Sequence, residues 1–263
     1  MIEVFLSCLV LGTVVGFLAG LFGIGGGLII VPSLVYLLPM AGISPENLMS
    51  VALGTSFSTI VVTAFSSAQR HHKLGNVDWD ISKVFIPSIM ISVFLAGLVI
   101  SGLDAKLMSK LFAVMVVYLA ARMIFSLQKE QKIKPLTTQS TIVAGGVIGA
   151  LSSVAGIGGG AFIVPFLNSR GLEMKRAIGT SSFCGAFLGL SGTFSFIASG
   201  WNLENMPDYS LGYVYLPALL GITLTSYFTS KLGANAANVL PVAILKKAFA
   251  VMLVVIAINM FLK

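Results

Sequence analysis

The sequence predicts an all-α membrane protein: two inverted repeats of about five helical segments each, with glycine-broken half-helices meeting near the midplane. Three observations carry that prediction. Of 263 residues, 57% are hydrophobic and 10% charged, with mean hydropathy +1.00; a water-soluble domain carries about 25% charged residues. The apolar runs are continuous, as spanning helices require, whereas membrane strands alternate over ~10 residues. Finally, GLFGIGGGLIIVP over 20–32 returns as SVAGIGGGAFIVP over 153–165.

In chain order the apolar runs fall at about 3–22, 28–40, 49–68, 84–102 and 107–126, then at 140–155, 161–168, 174–199, 212–230 and 243–262. Most approach the ~20 residues a helix needs to span. The exceptions, 28–40 and 161–168, each directly follow a GIGGG. The repetition extends beyond the glycines. Ala52-Leu53-Gly54-Thr55-Ser56 matches Ala177-Ile178-Gly179-Thr180-Ser181, Phe85-Ile86-Pro87 matches Tyr215-Leu216-Pro217, and Phe112-Ala113-Val114-Met115 recurs as Phe249-Ala250-Val251-Met252. Four shared words in one order indicate a duplicated five-segment unit. The halves are residues 1–127 and 139–263, joined by a polar cytoplasmic linker at 128–138.

Charge decides between parallel and inverted halves. If each glycine-broken stretch were one continuous span, Lys and Arg would divide 8 to 8 between the two sides. If the chain reverses at GIGGG, only Lys106, Lys110 and Lys263 of the 16 basic residues fall on one side. Such an imbalance in short loops orients a membrane protein. The sequence therefore predicts inverted repeats with both termini outside. Glu46, Glu204 and Asp208 then lie outside, with Trp201, Tyr209 and Tyr213 near the outer interface and Trp79 near the inner one. No basic residue precedes Arg70 and no cleavage pattern follows the first run, which is expected to stay in the mature chain. The net charge of +7 reads as orientation and not as a nucleic-acid surface. Cys8 and Cys184 form neither a disulfide framework nor a metal-ligand spacing.

Glycine runs let the backbone turn sharply and expose peptide N–H groups, tolerated in a membrane where the backbone is buried in protein or lines a wet cavity. Helices should start just after them, at Leu28 and Ala161, with unpaired N–H groups and positive dipole ends. Two such ends from opposite halves make an anion site without a charged side chain. The candidate binding residues are Gly23, Gly25, Gly26, Gly27 and Leu28 in the first half, and Gly156, Gly158, Gly159, Gly160 and Ala161 in the second. Thr55, Ser56, Thr180 and Ser181 would add hydroxyls, with helix capping as their competing role. No Asp, Glu, Lys or Arg lies mid-run, which favours an anion or neutral solute over a cation. Close helix packing also uses such glycines but does not explain the truncated segment after each copy. A dinucleotide site would need a βαβ context that is missing. No catalytic residue, metal or cofactor is expected, since no metalloprotease motif, carboxylate pair or nucleophile elbow is present.

These motifs resemble the TauE/SafE sulfite exporter family, also called the 4-toluene sulfonate uptake permeases. The likeness covers nearly the whole chain: Gly20–Pro32, Gly156–Pro165, the two Gly-Thr-Ser words, Leu232-Gly233-Ala234, Leu240-Pro241-Val242 and Lys246-Lys247-Ala248-Phe249-Ala250. It implies transport of sulfite, sulfonates or related organic anions in sulfur-compound metabolism, with export common among members. The expected function is thus secondary transport of a small anion across the inner or plasma membrane by alternating access. A passive anion channel and a non-transporting sensor or scaffold subunit are the alternatives. The expected partners are the anion and the lipid bilayer, not nucleic acid, with a homo-oligomer left open.

Three further features are weighed. Gln69-Arg70-His71-His72-Lys73 reads first as a solvated inner loop and second as an anion attractor or proton-sensing pair, and Ala198-Ser199-Gly200-Trp201 stands in its place in the second half. Pro87 and Pro217 are matched candidates for helix kinks. Arg122 ends a run and is expected to snorkel.

Overall fold

The computed structural model describes residues 2–126, 136–203 and 206–241, with Ile244 and Val251. The first repeat comprises α1 (Ile2–Phe22), α2 (Gly27–Leu37) with a 3-10 turn (Leu38–Ala41), α3 (Leu48–Lys73), α4 (Trp79–Ser101) and α5 (Ala105–Ser126). The second comprises α6 (Thr138–Ala155), α7 (Gly160–Ser169), α8 (Met174–Gly200), a short hairpin of β1 (Ser210–Leu211) and β2 (Val214–Tyr215), and α9 (Leu216–Val239). Apart from that hairpin, every regular element described is helical. Of the linker predicted over 128–138, only Leu136, Thr137 and Thr138 are described, and of the run 243–262 only Ile244 and Val251. Among the described residues five helices are long and apolar enough to cross a membrane: α1, α3, α4, α6 and α8.

Local chemistry explains the helix starts. The Asp78 side chain accepts from the Ile81 N–H (3.1 Å) and opens α4; Thr137 and Ser140 form a capping box that opens α6. Pro217 lies in the first turn of α9, where its missing N–H has no helical partner to lose. Pro87 lies inside α4. The two prolines are therefore not equivalent, which corrects the kink pairing expected from sequence. The structural counterparts are Asp78 and Tyr215, so the shared Ile/Leu-Pro word is a coincidence of sequence.

Small residues set how the helices pair. Along α1, Gly12 abuts Ile222 and Thr225 of α9, Gly16 abuts Ser226 and Thr229, and Gly20 abuts Ser230 and Ala234. A spacing of four places one residue type along one helix face and lets backbones approach closely. The numbers rise together, so α1 and α9 are parallel. The second repeat does the same: Gly145 meets Ser88 of α4, Gly149 meets Ile89 and Ser92, and the Ser153 hydroxyl donates to the Val93 carbonyl (3.2 Å). Ser66 of α3 donates to Tyr227 O of α9 (2.5 Å), and its counterpart Ser191 of α8 donates to Met90 O of α4 (2.6 Å). Further along, Arg70 of α3 bonds Asn235 of α9, and Ser195 of α8 bonds Phe94 O of α4, so both of these pairs are parallel too.

At the centre α3 and α8 pack antiparallel. Gly192 lies on Phe57, Gly189 on Val61, Gly185 near Ala64, and the Ser182 and Ser67 hydroxyls meet at 3.1 Å. Helices α1, α3 and α9 thus run one way, and α4, α6 and α8 the other. Corresponding helices of the two repeats run oppositely, an arrangement compatible with inverted repeats. Because α1 and α3 share a direction, the stretch between them brings the chain back, and the same holds between α6 and α8. The returning helix α2 has 11 residues, about 16 Å at 1.5 Å per residue, half of a ~30 Å hydrocarbon core.

Candidate functional site

The glycine breaks lie against each other in opposite directions. A Cβ on Gly25 would stand 3.3 Å from the Gly158 Cα, and one on Gly158 would stand 3.2 Å from the Gly25 Cα. On one side of this crossing, a Cβ on Gly27 would come within 2.1 Å of the Gly156 carbonyl; on the other, one on Gly160 would come within 2.1 Å of the Gly23 carbonyl. Backbone packs directly on backbone, so only glycine fits. The N-cap residues of α2 and α7, Gly26 and Gly159, hold φ of 89° and 72°, the left-handed region glycine enters freely.

Hydroxyls from the long central helices fasten each break to the opposite repeat. Ser56 of α3 donates to Gly156 O (2.7 Å), and Ser181 of α8 donates to Gly23 O (3.0 Å). One residue earlier, Thr55 Oγ1 accepts from the Tyr215 N–H (3.0 Å) and Thr180 Oγ1 from the Asp78 N–H (2.9 Å). All four hydroxyl residues are fully buried. None is a helix N-cap, since α3 and α8 begin well before them. The serine protons are engaged by carbonyls, while Thr55 and Thr180 act as acceptors. One fastening, within the first repeat, escapes the sequence reading: Thr63 donates to Gly25 O (2.9 Å). The equivalent position of α8 is Leu188, which packs over Gly159. Its only sequence signal was a hydroxyl in the middle of an apolar run.

Electrostatically the centre is made of peptide groups. In α2 the first helical bonds run from Ile29 N and Ile30 N to Gly26 O, and in α7 from Phe162 N and Ile163 N to Gly159 O (2.8–3.1 Å). The N–H groups of Gly27, Leu28, Gly160 and Ala161 have no acceptor among the described residues. These are the orphan donors at the positive ends of two helix dipoles. The structure gathers the predicted glycines, Leu28, Ala161, Ser56 and Ser181 at this crossing, whereas the Thr55 and Thr180 hydroxyls turn to the Tyr215 and Asp78 N–H groups. It also shows the region closed, with Ile60 against both Gly25 and Gly158. Two grooves of about 570 and 580 Å³ lie elsewhere, on α4 and α8 and between α1 and α2, and neither is lined by a residue of the breaks. Among the described residues no cluster of side chains could hold a metal ion.

Two sequence expectations need correction. Gln69–Lys73 is the last turn and a half of α3 and not a loop; His71 is wholly buried, while His72 and Lys73 are exposed. Tyr213 is buried against Phe196 (ring centroids 6.4 Å apart) and is no interface aromatic, whereas Trp79, Trp201 and Tyr209 are exposed.

Opposed, duplicated bundles, each with a half-helix starting inside the protein at its partner's break, define the class: an integral membrane transporter with internal repeats. The family model of Sulfite exporter TauE/SafE matches residues 8–260, and the chain belongs to that family. It is 61% identical over 259 residues to a probable membrane transporter protein of Haemophilus influenzae, covering 98% of each chain. It is 32% identical to a probable membrane transporter protein of Methanocaldococcus jannaschii, covering 86% of this chain and 83% of that one. A probable membrane transporter protein of Bacillus subtilis, YunE, is 27% identical over 88% of this chain and 87% of its own. No solved structure matches the chain.

Proposed function

We propose that the protein exports a small oxyanion, sulfite or an organosulfonate, across the cell membrane by alternating access, and that the paired glycine breaks are its binding site. The observation that carries this reading is the pairing of two helix N-termini with unanswered N–H groups at one buried crossing. Membership of a family described as sulfite exporters supports the substrate class and the direction.

In the mechanism, the closed crossing is the occluded arrangement. Rocking the α1–α3–α9 bundle against the α4–α6–α8 bundle separates Gly25 from Gly158. The anion then replaces the opposite break as the neighbour of the Gly27, Leu28, Gly160 and Ala161 N–H groups. Ser56 and Ser181 turn their protons from the carbonyls to the anion, and Thr55 and Thr180 offer theirs. A two-fold relation between the repeats makes the outward and inward states near mirror exchanges of the same contacts. The cytoplasmic face is the one that bears the Arg70 end of α3, with both chain ends outside.

Direct packing of the breaks supports a carrier over an open pore, because a pore would keep a continuous passage. Counterflow in proteoliposomes tests the reading. Unlabelled sulfite on one side should accelerate entry of labelled sulfite from the other. Equal entry with and without it would point to a channel, and no entry of sulfite or any sulfonate would refute the substrate assignment.

A further inference from the structure

At one corner the two repeats differ in chemical kind. Two pairs of equivalent bonds and one pair of equivalent contacts fix the equivalence. Thr55 accepts from Tyr215 N as Thr180 accepts from Asp78 N. Gly54 packs on Tyr213 O as Gly179 packs on Asn76 O. Tyr213 N donates to Phe196 O (3.3 Å) as Asn76 N donates to His71 O (2.9 Å). His71 and Asn76 therefore occupy the places of Phe196 and Tyr213. In the second repeat the corner is aromatic, with Phe196 packed on Phe57 and Tyr213. In the first it is a buried polar chain.

That chain has a direction. His71 Nε2 lies 3.2 Å from Gly20 O. A carbonyl only accepts, so Nε2 carries the proton. In neutral histidine Nδ1 is then an acceptor, and it faces Asn76 Nδ2 at 3.5 Å. Asn76 Nδ2 also donates to Asn238 Oδ1 of α9 (3.1 Å). With the two amides in this orientation the hydrogens fit the neutral ring. Gly20 is in the last turn of α1, where carbonyls lose their helical partners, and it stands three residues before the break begins at Gly23.

We propose that His71 is a proton-operated latch on the first glycine break. Neutral, it ties the end of α1 to α3 and, through Asn76 and Asn238, to α9. A proton entering from water at the Arg70 end forms a new N–H at Nδ1. That N–H confronts the Asn76 amide hydrogens, the Asn76–Nδ1 bond breaks, and Asn76 can accept the new N–H only by turning its amide, which breaks its bond to Asn238. The reverse step returns the proton to water. Among the described residues no charged partner waits to hold the cation. From α1 only the Gly20 carbonyl faces the ring. On α3, Arg70 binds Asn235, and His72 and Lys73 are exposed. Asp78 is paired with Arg176 of α8 (2.7 Å), and Lys231 of α9 lies over the Tyr227 ring (3.8 Å). The Nε2–H bond to Gly20 O survives the proton, but a wholly buried cation without a counter-charge is costly. The ring is therefore driven out toward water and lets go of Gly20 O, loosening the break on one side of the membrane only.

The latch rests on the breaks being the moving part, and its test does not require the substrate to be known. Amide hydrogen exchange over residues 20–28 of the full chain in lipid nanodiscs is compared with His71→Gln at each pH from about 5 to 8, the range in which histidine changes charge. Glutamine can donate to Gly20 O and accept from Asn76 without titrating. We expect the wild type to match it at the upper end and to exchange roughly tenfold faster at the lower end. His72→Gln should follow the wild type, and His71→Phe, which copies the second repeat, should lack the pH response. Wild type and His71→Gln running in parallel across the range would overturn the latch. Loss of sulfite counterflow in wild-type proteoliposomes would count against the function proposed above and leave the exchange result to judge the latch.

Discussion

Gly27 and Gly160 are glycine because the opposite break leaves each of them no room for a side chain. A single methyl at either position meets a backbone carbonyl 2.1 Å away, and backbone cannot rotate aside. We expect Gly27→Ala and Gly160→Ala each to destabilise the protein by about 1–3 kcal/mol, the usual range for overpacking, and to abolish transport. Gly146→Ala is the control: it lies inside α6 with open space around it, and should be neutral or stabilise by up to about 1 kcal/mol. Thermal unfolding in detergent separates the two classes. Ser56→Ala and Ser181→Ala leave Gly156 O or Gly23 O buried and unanswered. Each should lower stability by about 1–3 kcal/mol, and because the two sites are equivalent the losses should be similar.

At the scale of elements, the contact between α1 and α9 depends on a stripe of small residues, Gly12, Gly16 and Gly20. Gly16→Leu should force the helices apart, and we expect a chain that no longer unfolds cooperatively, whereas Val10→Leu on the exposed side of α1 should change little. The glycine breaks, the half-helices and the long central helices were legible because each carries a signal that composition cannot blur: a doubled motif, a run too short to span, a run long enough. The pairing of helices was not. The Gly12 stripe reads as ordinary apolar sequence until its partner is known. The extent of α9 was also misjudged, because Lys231, Asn235 and Asn238 interrupt the apolar run while the helix continues to Val239. His71 looked like part of a basic loop for the same reason: one buried face of a helix end is hidden among charged neighbours. The roles of Ser56 and Ser181 were half legible. Their equivalence could be read from the repeated word, but that they fasten the opposite break depends on contacts between residues 100 and 158 positions apart.

At the scale of the whole molecule, two oppositely directed bundles are held by cross-repeat bonds around the Gly25–Gly158 contact. If the bundles are inverted in the membrane, cysteines placed at Gly75 and Asn202 must face opposite sides. We expect an impermeant thiol reagent applied to sealed vesicles to label one and spare the other; labelling of both from one side would require parallel repeats. The central claim concerns the crossing itself, and amide NMR of the 15N-labelled protein titrated with sulfite tests it most directly. The N–H signals of Gly27, Leu28, Gly160 and Ala161 should shift together and saturate at one common sulfite concentration. Saturable shifts confined to residues away from the breaks, with these four amides unmoved while sulfite is still transported, would contradict it.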